Sequence, residues 1–342
     1  MIHYTFPKIG QFRNTVRAVN DKVRFAGIDE NKEPIFDNSR ILPELEFVGT
    51  VKVHGTNASV VVGNNGEIWY QSRNGIITPN KDNAGFANWA SDKIETWNNI
   101  ASNIKMLLHP DDIDVVIRGE WCGKGIQKGV AISELPKMFI MFGIDVVIND
   151  KRHYLSGKDF YLFSGSNDES IYSTNDFENY EIRIDFEHPE LIQNELNRIT
   201  DEVERCCPIG KHFGVKGVGE GVVWKCITPG FESSDFWFKV KGEKHSKSKV
   251  KTLANVDVER FDKIKELAEH LANKERLNKV AYNVFDLLNG GSVDIKKTGE
   301  FIKAVMTDIF EEESDTISES GFTGKDINKH ISTICKKYMS WM

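Results

Sequence analysis

The sequence predicts an α+β fold. Up to about residue 245, short β-branched and aromatic runs alternate with Gly and Asn turns, which is how strands are punctuated. Helical stretches are set between those runs. Beyond Lys251 the apolar residues recur only at helical spacing. At 342 residues the chain exceeds one ordinary domain. It divides near residue 250 into a mixed, strand-rich region and a small all-α region.

Period-two alternation or continuous apolar runs mark strands at 46–53, 58–62, 67–72, 114–120, 138–148, 221–227 and 236–241. Between the third and fourth, Phe86, Trp89, Ile94, Trp97, Ile100, Ile104 and Leu107 fall at helical spacing. Leu191, Leu196, Ile199 and Val203 do the same. Within the all-α region a first stripe holds Phe261, Ile264, Leu267 and Leu271 and continues through Leu277, Val280, Val284 and Leu288. "NGGS" at 289–292 breaks it. A second stripe uses Phe301, Ile302, Val305, Ile309 and Phe310, and a third uses Ile327, Ile331, Ile334, Tyr338 and Trp341.

Composition narrows the function classes. With 40% hydrophobic and 28% charged residues the chain has enough apolar material for a core. Its longest apolar run, 138–148, is interrupted by Gly143 and Asp145 and falls short of a membrane span. The opening "MIHYTFPKIGQFR" lacks the pattern of a signal peptide. Five cysteines without a C-x-x-C pair, and nine histidines without metal spacing, argue against a disulfide framework or zinc knuckle and for a reducing compartment. A net charge of −7 speaks against nucleic acid, but "KVKGEKHSKSKVK" at 239–251 concentrates six lysines against one glutamate. Such a run reads either as a solvated hinge or as a track for a nucleic-acid backbone.

One lysine stands out. "TVKVHGTNASVVV" at 50–62 sets Lys52 between Val51 and Val53, at the lip of two apolar strands and just before Gly55. An isolated K-x-x-G is common, and the plain reading is a side chain that reaches to water. Polar residues recur, however, at the ends of separate strands. Arg73 precedes a Gly turn, Glu120 closes an apolar strand, Phe142 sits in "MFIMFGIDVV", and Glu220 stands at the mouth of "GVVWK". In "FWFKVK" alternation turns Phe238 and Val240 one way and Lys239 and Lys241 the other.

In order, "KVHG", "SRNG", "RGEW", "FGID", "EGVVWK" and "FKVK" resemble the six motifs of the covalent-lysine nucleotidyltransferase superfamily, which includes ATP-dependent RNA ligases, DNA ligases and mRNA capping enzymes. "KVHGTN", with "GIQK" after the third motif, is similar to the phage RNA ligase 2 and trypanosome editing ligase class. The resemblance implies a nucleotidyltransferase (adenylation) domain of antiparallel sheets with flanking helices over residues 1–245, and a small helical C-terminal domain over 246–342.

It also implies a chemistry. Lys52 would attack the α-phosphate of ATP and carry AMP, which then passes to an RNA 5′-phosphate before a 3′-hydroxyl seals the join. Lys239 and Lys241, about 7 Å apart at strand rise, would bracket the phosphate and favour the neutral Lys52 amine. Glu220 would hold Mg²⁺, for which Mn²⁺ can substitute. Glu120 would accept from the ribose hydroxyls, Phe142 would stack on the adenine and Arg73 would contact the nucleotide, with Asn57 and Gln127 as further contacts. His54 would shape the turn or contact the nucleotide rather than act as a general base, and Lys225 and Asp145 could also lie in the site. The expected activity is ATP-dependent RNA ligation in RNA repair, by a cytoplasmic monomer acting on nicked or broken RNA or an RNA/DNA hybrid, without a membrane partner. A capping guanylyltransferase, a DNA ligase and a catalytically silent RNA-binding relative stay open as alternatives.

Overall fold

A computed structural model describes residues 1–82, 84–108, 113–148, 151–155, 170–242, 257–287 and 291–342. It forms two compact units. The first comprises Met1–Thr15, Leu45–Ile184 and Glu195–Leu253; the second comprises Val16–Glu44, Asp185–Asn194 and Ala254–Met342.

In the first unit, strands β4 (Thr56–Val62), β5 (Ile68–Ser72), β6 (Gly75–Ile77), β7 (Asp114–Cys122), β8 (Met138–Ile148), β9 (Lys151–Tyr154) and β10 (Ile171–Ser173) share one sheet. Its order is β10-β8-β7-β4-β5-β6, with β9 on β8. The sheet is antiparallel except where β10 runs parallel to β8. Alternation along the central strands explains how both faces are filled. Val60, Val62, Val115 and Ile117 pack with Phe86 and Trp97 of α2 (Phe86–Ser91) and α3 (Ile94–Leu108). Val61 and Val116 point the other way and pack with Tyr4 and Trp69.

Trp97 is fully buried, and its indole N–H donates to the carbonyl of Ala90 at 2.9 Å. Trp97→Ala is therefore expected to destabilise the fold by about 3–5 kcal/mol, read as a lower urea midpoint. Ile94 and Leu107, expected on the same apolar stripe, are instead 52% and 42% exposed, because they lie at the ends of α3 where the stripe runs off the sheet.

A second sheet has the order β11-β3-β12-β13, from β3 (Glu44–Val51), β11 (Asn179–Asp185), β12 (Gly221–Cys226) and β13 (Trp237–Lys241). Phe238 is fully buried on it, packed against Phe12, Phe47 and Trp224. Helices α4 (Gln193–Arg205) and α5 (Pro208–His212) complete this unit.

The sequence suggested that β3 and β4 form the two sides of one lip around Lys52. They belong to different sheets: β3 pairs with β12 (Val51 opposite Val222), and β4 pairs with β5 and β7. Pairing partners more than 150 residues apart leave no mark in local patterning.

The second unit contains most of α1 (Phe12–Arg24) and the hairpin β1 (Phe25–Ile28) with β2 (Pro34–Phe36). Its core comes from α6 (Val258–Leu271), α7 (Lys274–Val284), α8 (Thr298–Glu312), α9 (Ser314–Glu319) and α10 (Gly324–Met339). Leu271, Leu277, Phe301, Val305, Ile309, Ile327 and Ile331 are buried together there. The stripe read as continuous from Phe261 to Leu288 is broken at Asn273, whose side chain caps α7 by accepting from the Arg276 N–H at 3.0 Å. Trp341, expected on the last stripe, lies past the end of α10 and is 90% exposed. Among the described residues no helix is long and apolar enough to cross a membrane.

Candidate active site

The chain passes from one sheet to the other through Lys52–Gly55. The Lys52 backbone N–H donates to the Gly221 carbonyl at 2.8 Å, which fixes its start to β12. At the other end only glycine fits: a Cβ on Gly55 would overlap the carbonyl oxygen of Trp121. The Gly55 N–H donates to Glu120 at 3.2 Å, and its carbonyl accepts from the Gln127 amide at 3.4 Å.

Lys52 opens into a cavity of about 350 Å³. Lys52, Asn57, Arg73, Glu120, Phe142 and Lys239, which the sequence placed in one site, all line it. Glu220 and Lys241 are not in its lining but stand directly behind Lys52. The Glu220 carboxylate is only 4% exposed; one oxygen accepts from Lys52 Nζ at 2.6 Å and lies 3.1 Å from His54 Nδ1, and the other pairs with Lys241 Nζ at 2.6 Å. Burial pushes its pKa up, but the His54 hydrogen bond and the Lys52 and Lys241 charges more than reverse this and hold it well below the ordinary carboxylate range. Of the two β13 lysines, Lys239 therefore faces the cavity while Lys241 neutralises Glu220.

Burial lowers the pKa of Lys239, and the nearby charges of Lys241, Lys52 and Arg73 add to the effect. The cavity thus concentrates positive potential at one side, as a site for phosphate requires.

Phe142 reaches the cavity through a β-bulge. Arg118 of β7 faces Gly143 and Gly119 faces Met141, so Phe142 is an extra residue with no partner across the ladder. Its ring lies 5.1 Å from that of Phe6. Lys225, given no role from sequence, also lines the cavity. Its Nζ donates to the Phe142 carbonyl and lies 4.7 Å from the Trp237 ring centre. Burial brings its pKa down to about 8, against the opposing charge of Asp145. Asp145 itself is buried under the sheet, where it pairs with Arg118 at 2.7 Å. Phe6, Pro7 and Ile9, on irregular backbone, and Thr174, at the start of a single 3-10 turn, complete a wall that sequence reasoning missed, since neither setting has a periodicity to mark it. The basic run beyond Gly242 lies outside the described residues.

Glu120 shows a pKa raised to about 7, chiefly by burial, although Lys52 and the Gly55 N–H pull it down. The folded protein thus holds this proton more tightly than an unfolded carboxyl does. Ionised Glu120 costs stability that appears as pH rises from the ordinary 4.5 to about 7. Glu120→Gln is expected to match the wild type near pH 4 and to exceed it above pH 7, by at most about 3 kcal/mol. Thermal melts across that range check the sign.

Among the described residues no group of three or more His, Cys, Asp or Glu side chains is placed to hold a metal. A cation held by Mg²⁺ chemistry needs only one or two carboxylates besides phosphate oxygens and water. Glu220 is ionised, but both of its oxygens are engaged, one by Lys52 and His54 and the other by Lys241, so it could receive such a cation only once a lysine withdraws.

The RNA ligase family matches over residues 45–241, more than half of the chain, and the chain belongs to that family. No curated protein sequence matches it. Among solved structures, Naegleria gruberi RNA ligase with PPi is similar at 16% identity, with a TM-score of 0.41, over 72% of this chain and 59% of that one. A mutant of the same ligase with ATP and Mn gives 16%, 0.42, 72% and 58%, and another with AMP and Mn gives 16%, 0.41, 71% and 57%. The chain spans less than two thirds of the length of these ligases.

Proposed function

We propose that the protein is an ATP-dependent RNA ligase that joins 3′-hydroxyl and 5′-phosphate RNA ends through lysyl-AMP and adenylylated RNA. The observation that carries this reading is Lys52 at the cavity wall, backed by Glu220 and flanked by Arg73 and Lys239. Membership of the RNA ligase family supports it.

Lys52 Nζ donates to Glu220 at 2.6 Å, and as an ammonium ion it has no lone pair for attack. It becomes a nucleophile when it leaves that carboxylate and sheds a proton. Attack on the α-phosphorus forms the N–P bond and expels pyrophosphate. An RNA 5′-phosphate oxygen then displaces Lys52 from AMP, and the 3′-hydroxyl finally displaces AMP to form the phosphodiester. Each step is an in-line substitution, in which positioning and charge neutralisation do most of the catalysis. Arg73 and Lys239 supply the fixed positive charge, and Lys241 keeps Glu220 oriented. Glu120 accepts from the ribose hydroxyls, Phe142 offers its face to the adenine, Asn57 on the cavity wall adds a further nucleotide contact, and Gln127 steadies the Gly55 turn beside them. Mg²⁺ or Mn²⁺ held by Glu220 would add neutralisation of the phosphate charge. All of these residues fall within 1–245, which we take as the adenylation domain, with 246–342 as the helical C-terminal domain; we place the enzyme in the cytoplasm as a monomer.

The test is incubation with either ATP or GTP and a divalent ion, followed by intact-mass measurement and addition of nicked RNA. An AMP adduct from ATP alone, converted to sealed RNA, is the expected result. A GMP adduct would indicate capping chemistry. No adduct, after pyrophosphate treatment to strip any AMP already carried, would leave an RNA-binding relative.

A further inference from the structure

Three polar side chains form a row across the inner strands of the larger sheet: Gln71 on β5, Ser59 on β4 and Arg118 on β7. Each is only about 1% exposed. They lie on the face that also holds Val61, Trp69 and Val116, where apolar residues would fill the space without needing hydrogen-bond partners. The row meets one stretch of irregular backbone, while Arg118 is also held from β8 by Asp145 at 2.7 Å. The Gln71 amide accepts from the Tyr4 N–H at 3.0 Å and donates to the Tyr4 carbonyl at 2.7 Å, as a neighbouring strand would. Arg118 Nη1 donates to the same carbonyl at 2.6 Å and lies 3.4 Å from the Ser59 hydroxyl.

Six residues later the segment is tied to the other sheet. The Gly10 carbonyl accepts from the Lys239 N–H at 3.1 Å, and Gly10 bridges Phe238. Between the two ties, Phe6, Pro7 and Ile9 face the cavity, with Phe6 against Phe142. Only a short stretch of chain separates Tyr4 from Phe6, so the placement of Tyr4 sets the placement of the Phe6 ring.

We propose that Gln71 is a positioning residue for nucleotide binding: it latches the Tyr4 backbone, and through it holds Phe6 against Phe142 at the base end of the cavity. This rests on the reading that the cavity takes ATP. An unlatched segment would leave the buried amide and guanidinium without their carbonyl, so the latch closes as a unit. Gln71 touches no part of the cavity itself, and its effect is carried entirely by Phe6.

The experiment measures lysyl-AMP formation against ATP concentration in wild type, Gln71→Ala, Phe6→Ala and the double variant, with Gln71→Met as a second, isosteric replacement should alanine impair folding. Gln71→Ala is expected to raise KM for ATP about tenfold, a 1.4 kcal/mol effect, with the rate at saturating ATP within about twofold. Phe6→Ala should raise KM at least as much, and the double variant should be no worse than Phe6→Ala alone. Hydrogen exchange of residues 4–10 should accelerate in Gln71→Ala. An unchanged KM in Phe6→Ala would overturn the proposal by removing Phe6 from nucleotide binding, and KM effects that multiply in the double variant would overturn it by showing that Gln71 acts by a route independent of Phe6. Absence of any adduct in the wild type would instead overturn the ATP reading, with the exchange result still reporting whether the latch exists.

Discussion

A Lys52→Ala variant is expected to lose nucleotide transfer by on the order of 10⁴-fold or more, because the covalent bond is lost with the amine and the other lining lysines are held elsewhere, Lys225 on the Phe142 carbonyl and Lys239 on the neighbouring strand β13. The readout is an acid-labile AMP adduct, present in wild type and absent in the variant. Joining of an RNA strand adenylylated beforehand should fall far less, since that step makes no bond to Lys52. This contrast separates a nucleophile from a residue that merely binds phosphate: the latter would weaken both reactions alike. Folding should survive, because Glu220 keeps Lys241 at 2.6 Å and His54 at 3.1 Å as partners.

Glu220→Gln is expected to carry the second-largest effect, and it has two components. Adenylylation should drop by on the order of 10²–10³-fold, because the carboxylate that orients Lys52 and Lys241 and would hold the divalent cation is lost. Stability should drop as well. The substitution leaves Lys52, Lys241 and His54 gathered around a neutral amide, and removing one member of a buried ionic cluster costs about 3–5 kcal/mol. Partial exposure of the two lysines, at 22% and 29%, moves the expected loss to the lower end of that range. The pH dependence has a definite sign. Glu220 is held below its unfolded value, so its stabilisation is complete above about pH 5 and declines as pH falls toward its folded value. The gap in melting temperature between wild type and Glu220→Gln should therefore be widest near neutrality and narrow on acidification. A constant gap would mean that the lost stability is packing rather than charge.

Much of this site was legible because it obeys a simple contradiction. Charged residues interrupt apolar strands at or near their ends, at Glu120, Glu220 and Lys239, and the first and last of these line the cavity while Glu220 pairs with Lys52 behind it. The alternation in "FKVK" rightly put Lys239 and Lys241 opposite Phe238, yet it could not tell that one lysine would face the cavity and the other a carboxylate. That division depends on Glu220, almost twenty residues earlier in the chain. The wall made by Phe6, Pro7 and Ile9 was hidden for a different reason: irregular backbone has no period, and the partners that hold it, Gln71 and Arg118, looked like ordinary strand residues. The hairpin of β1 and β2 escaped notice because its apolar residues stay exposed, Ile28 at 64% and Ile35 at 47%, and no buried face imposed alternation on the sequence.

The extra residue in β8 has a consequence for how such a protein can change over generations. Residues 138–141 and 144–146 of that strand are locked into the interior, where any change of volume is felt. Phe142, set outside the ladder, is exempt from that constraint. Its ring can be exchanged for one of another size or polarity while the sheet around it keeps its register. Selection can therefore retune the cavity wall and preserve the scaffold independently.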